Sequence, residues 1–184
     1  MVLFFMMDLC EYAYHRAMHA TPWLWRFHMA HHSDRAVDVS TTVWEHPGER
    51  LFRNGMMVVW VLLCGTTWEV LVLRRRVMSV VNLSAHTAFR FPQNIAWRIQ
   101  WLLVTPNFHH VHHRYRLPQT DSNFGHVFTL WDRLFGTYSR YPPAEVSYGV
   151  DTVYAPEHNA RFLDVLLMPF RPKRTARAIV AEAN

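Results

Sequence analysis

The sequence predicts an all-α fold, a membrane-associated helical scaffold that carries a short membrane hairpin. Three observations predict it. Histidines recur as His15-x-x-x-His19, His28-x-x-His31-His32 and His109-x-x-His112-His113, and residues i, i+3 and i+4 share one face of a helix. The composition is 51% hydrophobic and 15% aromatic with only 18% charged residues, which is apolar for a soluble domain. Apolar arms flank Gly65-Thr66-Thr67, and each is much shorter than the ~20 residues a spanning helix needs.

Residues 2–19 read as one helix. Asp8, Tyr12, His15 and His19 are spaced 4, 3 and 4, a single stripe. Asp8 is therefore placed to accept a hydrogen bond from a histidine ring or from Tyr12, which would fix a ring tautomer; the competing reading is an exposed helix-start acid that favours the macrodipole. The first nine residues lack a basic n-region and a cleavage site. They read as the end of a membrane helix already running at Met1, so a fragment or a form shortened at its start is expected.

Thr21-Pro22 supplies an N-cap and an N1 proline for a helix over 22–32, and Thr105-Pro106 repeats the device before His109. Residues 36–45, rich in Val and Thr, are expected as a loop or short strand. His46-Pro47-Gly48-Glu49 resembles a haem-binding HPGG element but lacks the second glycine, so haem is not expected. Over 51–87, Thr66 and Glu69 fit a capping box that restarts the chain after Gly65. Two helices in a hairpin dipping into one leaflet are expected, with Arg74, Arg75 and Arg76 snorkelling to headgroups. The Trp-rich stretch 93–104 is expected as an interfacial helix. A short helix with Trp131 and Asp132 ends at Gly136. Residues 142–159 read as an ordered loop, and 160–168 and 173–183 as terminal helices. No linker divides the chain, which reads as one domain, 1–184.

Packing many rings that protonate near neutral pH is unfavourable unless something holds them neutral, and a metal does so. Nine histidines form the clustered set: His15, His19, His28, His31, His32, His86, His109, His112 and His113. A closed zinc site takes four ligands, so nine fit two metals. Imidazole suits zinc, copper, iron and nickel alike, and ligand type does not name the metal; two non-haem irons in an apolar setting would suit O₂ activation. Asn82 lies four residues before His86 and is a candidate ligand through its oxygen or a bridging water. His110, one residue from His109, faces about 100° away and is expected behind the ligands or at the surface. His46 is a further candidate behind them. His126 and His158 belong to no cluster and read as ordinary histidines. No residue beyond the metal centre is expected to be catalytic.

The net charge of +5 and a pI near 9.6 fit anionic lipid or nucleic acid; no nucleic-acid motif is present, and lipid is expected. Cys10 and Cys64 form no CxxC pair, which argues against a disulfide scaffold. No GxGxxG fingerprint is present, so electrons must come from a separate donor.

The histidine pattern resembles that of the fatty acid hydroxylase/sterol desaturase superfamily of membrane di-iron oxygenases. Tyr12-Ala-Tyr14-His15-Arg16 resembles its first motif and Trp25-Arg-Phe-His28 leads into its second. His86 to Pro92 resembles the third. Thr105 to His113, Asp121 to Gly125 and Trp131 to Thr137 resemble its closing block, most of all in the alkylglycerol monooxygenase branch and its bacterial relatives. The resemblance covers about residues 8–140. It implies two iron ions (Fe2+/Fe3+), O₂ as co-substrate, and a lipid or sterol substrate entering from the bilayer. It also implies an integral membrane protein of the bacterial inner membrane or endoplasmic reticulum, with its metal site facing the cytoplasm. By this resemblance a form lacking the upstream membrane helices usual in the family is expected, and the arginine triplet 74–76 and Asn82, where some members have a third HxxxH, depart from it. The expected function is O₂-dependent hydroxylation, or desaturation, of a C–H bond. The rivals are a protein that binds or moves metal without redox chemistry and an inactive truncated relative.

Overall fold

A computed structural model of the chain describes residues 1–115, 118–141, 146–150 and 162–171. The helix expected over 173–183, most of the expected 142–159 loop and His158 lie outside these. The described residues are helical, with two isolated bridges, Leu103 to Phe128 and Arg114 to Tyr148. The helices are α1 (Val2–Ala20), α2 (Pro22–His32), α3 (Pro47–Cys64), α4 (Trp68–Ala85), α5 (Gln93–Ile99), α6 (Pro106–His112), α7 (Leu130–Leu134) and α8 (Phe162–Leu167). Short 3₁₀ turns occupy Val39–Val43 and Met168–Phe170.

Helix α1 packs on α2, α3 and α4, and α6 packs on α4 and α5. The apolar core is divided: Tyr14, Met18 and Phe27 form one cluster, Phe4, Val127 and Phe128 a second, and Met29, Ala30, Val165 and Met168 a third. Each buried Phe or Met contributes about 1.5–3 kcal/mol. Buried polar residues lie among these clusters, histidines above all, and such groups need partners if they are not to cost stability.

Several expectations meet a different outcome, each for a local reason. Residues 39–43 turn as a 3₁₀ helix because Asp38 and Thr41 form a capping box, which overrides the β-branched composition. Helix α4 starts at Trp68 with Thr67 as its N-cap, one residue after the expected cap, and Thr67 makes no side-chain cap bond; the Thr66 hydroxyl instead points to the Met7 sulfur at 3.4 Å. Helix α5 stops at Ile99 rather than 104, because the Gln100 amide donates to the Thr105 hydroxyl at 2.7 Å and its carbonyl accepts from Thr129 and Arg133.

The α3–α4 hairpin turns at Gly65, whose φ of 61° is left-handed and costs glycine no Cβ clash. Near this turn Leu62, Leu63 and Trp68 are each more than 70% exposed (75%, 72% and 74%). No described helix is long and apolar enough to cross a membrane.

Candidate metal centre

Four segments bring the nine clustered histidines together. Helix α1 supplies His15 and His19, α2 supplies His28, His31 and His32, the end of α4 supplies His86, and α6 with its C-cap supplies His109, His112 and His113. They divide into two groups. His15, His19, His28, His32 and His112 form one, and His31, His86, His109 and His113 the other; within each, ligand atoms lie within 4.8 Å of one another. Sequence neighbours part company, His31 from His32 and His112 from His113. The groups therefore abut: the rings of His32 and His113 stack with centroids 4.6 Å apart, and those of His31 and His32 meet edge-on at 5.6 Å.

Local chemistry sets up this convergence. Pro22 and Pro106 stand in the first turns of α2 and α6, where their missing N–H costs nothing. The Thr105 hydroxyl accepts from the Phe108 N–H at 3.2 Å, whereas Thr21 makes no side-chain cap bond. Asn123 adopts a left-handed φ of 58°, which Asn tolerates, and its amide holds the Phe108 and Ser139 carbonyls at 3.0 Å each.

The rings are oriented from behind. The Nδ1 atoms of His15, His31, His86 and His112 donate to the carbonyls of Phe124 (2.9 Å), Trp44 (3.1 Å), Asn82 (2.8 Å) and Ser122 (2.8 Å). His28 Nδ1 donates to Glu49 Oε1 at 2.9 Å and His19 Nδ1 to Asp121 Oδ1 at 3.1 Å. Carbonyl and carboxylate oxygens only accept, so each Nδ1 carries the proton and each Nε2 presents a lone pair. Where both rings are fixed in this way the lone pairs face one another: His15 and His28 Nε2 are 3.2 Å apart, and His31 and His86 Nε2 3.3 Å. Facing lone pairs repel unless a cation lies among them.

Other observations agree with that demand. Buried side-chain atoms without a partner include His19 Nε2, both ring nitrogens of His32, and His112 Nε2. Burial, reinforced by neighbouring imidazoles, holds His15, His19, His31, His32, His109 and His113 well below the usual histidine range, and pushes His112 down to about 3. A neutral imidazole is the form that binds a metal. The donor set thus fits two adjacent divalent ions of nitrogen-seeking character.

The remaining candidates lie elsewhere. Asp8 reaches no histidine; it accepts from the Val127 and Phe128 N–H groups (3.1 and 3.3 Å) and from Trp131 Nε1 (2.8 Å), tying α1 to the start of α7. The role expected of it falls to Glu49 and Asp121. His46 caps α3: its Nδ1 accepts from the Gly48 N–H at 2.9 Å and its Nε2 donates to the Leu166 carbonyl at 3.1 Å. His110 is fully buried rather than at the surface, with Nδ1 against Arg90 and the Tyr148 hydroxyl. Asn82 holds His86 through its carbonyl and borders the small cavity beside the rings. His126, which read as an ordinary histidine, lines that cavity, 5.0 Å from the His15 ring, with Nδ1 buried and unpartnered. No helical spacing marks His126. For Glu49, its place three residues after the capping His46 was the one available signal.

An all-helical chain that gathers nine imidazoles into two adjoining metal-binding groups defines a histidine-rich metalloprotein. Comparison with known sequences narrows this. The fatty acid hydroxylase family matches residues 1–137, and the chain belongs to that family. It is 29% identical to ornithine lipid hydroxylase OlsE of Rhizobium tropici over 88% of this chain and 47% of that protein. It is 27% identical to alkylglycerol monooxygenase of Xenopus tropicalis over 71% of this chain and 28% of that protein. It is 34% identical to very-long-chain aldehyde decarbonylase GL1-11 of Oryza sativa subsp. indica over 78% of this chain and 54% of that protein. The chain thus spans about half the length, or less, of these relatives. No solved structure matches it.

Proposed function

We propose that the chain is an O₂-dependent di-iron oxidoreductase that hydroxylates, or desaturates, a C–H bond of a membrane lipid or sterol. The observation that carries this reading is the inward convergence of imidazole Nε2 atoms in two abutting groups. Family membership supports iron over other metals, and the names of the lipid hydroxylase and alkylglycerol monooxygenase relatives support a lipid substrate.

His15, His19, His28, His32 and His112 would hold one iron, and His31, His86, His109 and His113 the other. Iron so held supplies O₂ and one-electron chemistry that side chains cannot perform. The residues of this chain hold and shield the site. Outward Nδ1–H bonds fix the rings of His15, His19, His28, His31, His86 and His112, and Glu49 and Asp121 place negative charge behind His28 and His19. The cavity bordered by His15, His28, His31, His86, His109 and His126 has a volume of about 40 Å³. A water molecule's share of liquid volume is about 30 Å³, so the cavity admits a molecule the size of O₂ or water. Electrons come from a separate donor.

Exposed apolar residues on the α3–α4 hairpin, with Trp97 and Trp101 near α5 (44% and 73% exposed), support a hairpin that enters one leaflet with the site on its cytoplasmic side. The test is purification in mild detergent with metal analysis, joined to lipid mass spectrometry of cells with and without the protein. Two irons per chain and an oxygenated lipid are expected. Tightly held zinc with no O₂ consumption would overturn the reading.

A further inference from the structure

Beside the metal cavity, and sharing Thr42, Glu45, Arg53 and Asn82 with it, a groove of about 720 Å³ runs between α3 and α4. That volume lies within the range of small-molecule sites, roughly 300–1,000 Å³. Two glutamates, Glu11 and Glu45, stand in its wall, each paired with an arginine, and the rest of its character is of two kinds. Met57, Trp68, Leu71 and Val72 make the far end apolar, while Arg50, Arg53, Arg74 and Arg75 form a cationic band. Asn82 and Trp68 are fourteen residues apart on or beside one helix, roughly 21 Å at ~1.5 Å per residue; the groove has the length of a lipid chain segment.

The arginines are not fully matched by acids. Arg74 pairs with Glu11 at 2.5 Å, and Arg53 pairs with Glu49 at 2.7 Å and with Glu45 at 3.7 Å. Glu45 also serves Arg50, and Glu49 also serves His28. Among the described residues no acid pairs with Arg75. The Nε–H donors of Arg53 and Arg74 are buried without an acceptor, and a buried donor left unpaired costs about 1–3 kcal/mol. Oxygens of a bound anion would satisfy both donors and balance Arg75.

We propose that this groove binds an anionic amphiphile, its carboxylate or phosphate held by the guanidinium band and its alkyl part along the apolar end. The proposal deepens the oxygenase reading and rests on it only for the step from bound lipid to substrate.

Binding is measured without turnover, on the full chain in dodecyl maltoside micelles at pH 8. The probes are 9,10-dibromostearate and the matching dibromostearyl alcohol, whose bromines quench tryptophan. The quenching lost in Trp68→Phe isolates the groove. Stearate is expected to bind at least about tenfold tighter than the alcohol. Arg75→Gln is expected to cut that preference to under about threefold, Arg75→Lys to retain most of it, and Arg76→Gln, on the same helix but outside the groove, to leave it intact. Bound metal per chain reports that each variant is folded. Equal affinity for the two probes, a preference that survives Arg75→Gln, quenching with no Trp68 component, or equally effective displacement by inorganic phosphate would each overturn the proposal. A protein that prefers stearate yet oxygenates nothing would remove the oxygenase reading alone. One that oxygenates lipid but shows no preference would remove this proposal alone.

Discussion

The Nδ1 atom of His28 lies 2.9 Å from Oε1 of Glu49, a carboxylate with no solvent exposure. Arg53 holds the same oxygen from the other side at 2.7 Å. A carboxylate bonded behind a metal-binding imidazole fixes its tautomer and raises its basicity, and losing such a partner costs about 10–100-fold in metal affinity. Glu49→Gln keeps the volume and one acceptor but removes the charge. It is expected to weaken metal binding by that factor while the helices persist, as read by competition with a chromophoric chelator and by circular dichroism. Unchanged affinity would leave Glu49 as a partner of Arg53 alone.

His112 and His46 separate ligand from scaffold. The His112 ring stands 4.5, 4.6 and 4.7 Å from those of His15, His32 and His19, so His112→Ala is expected to abolish metal binding at the five-imidazole group and turnover with it. His46 caps α3 and bonds the Leu166 carbonyl, and His46→Ala is expected to cost at least about 0.5–2 kcal/mol, as cap losses do, with metal per chain unchanged. Metal analysis and thermal unfolding of the two variants check the pair. Loss of metal in His46→Ala would move His46 into the centre.

How much was legible follows from which contacts are local. The histidine clusters could be read because helical period places i, i+3 and i+4 together, and that holds before any packing. The partners behind the rings could not. Glu49 is 21 residues from His28 and Asp121 is 102 from His19, distances closed by helix packing and by the loop after α6. Asp8 shares a stripe with His15, yet its carboxylate turns to the backbone of Val127 and Phe128, whose buried N–H groups need an acceptor. His126 has no clustered neighbour in sequence and reaches the cavity only through the irregular segment that follows the left-handed Asn123.

Gly125 makes that segment sterically exacting. A Cβ there would lie 2.5 Å from the Phe128 carbonyl oxygen and 2.8 Å from Asp132 Oδ2, and the first of these is backbone that moves only with the chain. Its N–H also donates to Asp132 at 2.7 Å. Gly125→Ala is expected to destabilise by at least about 1–3 kcal/mol, the cost of overpacking, and to disturb His126 and the Phe124 carbonyl that orients His15. Gly55 is the contrast. It sits within α3, and a Cβ added there would meet nothing within 4 Å, so Gly55→Ala should stabilise by about 0.5–1 kcal/mol. Melting temperatures of the two variants should move in opposite directions.

Acid should dismantle the centre, and the sign follows from the histidines. Burial holds His15, His19, His31, His32, His86, His109, His112 and His113 below their ordinary value of 6.5 in the folded chain. Below that pH the unfolded chain takes up protons that the folded chain refuses, so this stability is present above 6.5 and is lost as pH falls. Each pH unit below 6.5 costs up to about 1.4 kcal/mol for a group that stays neutral in the folded chain, and all eight groups act in the same sense. Asp8 and Asp132 act in the opposite sense: burial pushes both carboxyls up to about 6, so their contribution is present below the unfolded value of 3.8 and lost as pH rises through about 6. Glu45 and Asp121 are raised in the same direction, and these carboxyls are outnumbered by the eight imidazoles. The metal-free protein is expected to unfold between about pH 6.5 and 5. The metal-loaded protein should resist to lower pH, because bound ions hold the same Nε2 atoms against protons, and then release metal with proton uptake. Denaturant midpoints against pH, with and without metal, check this; a metal-free protein of constant stability down to pH 5 would contradict the buried neutral state of these rings.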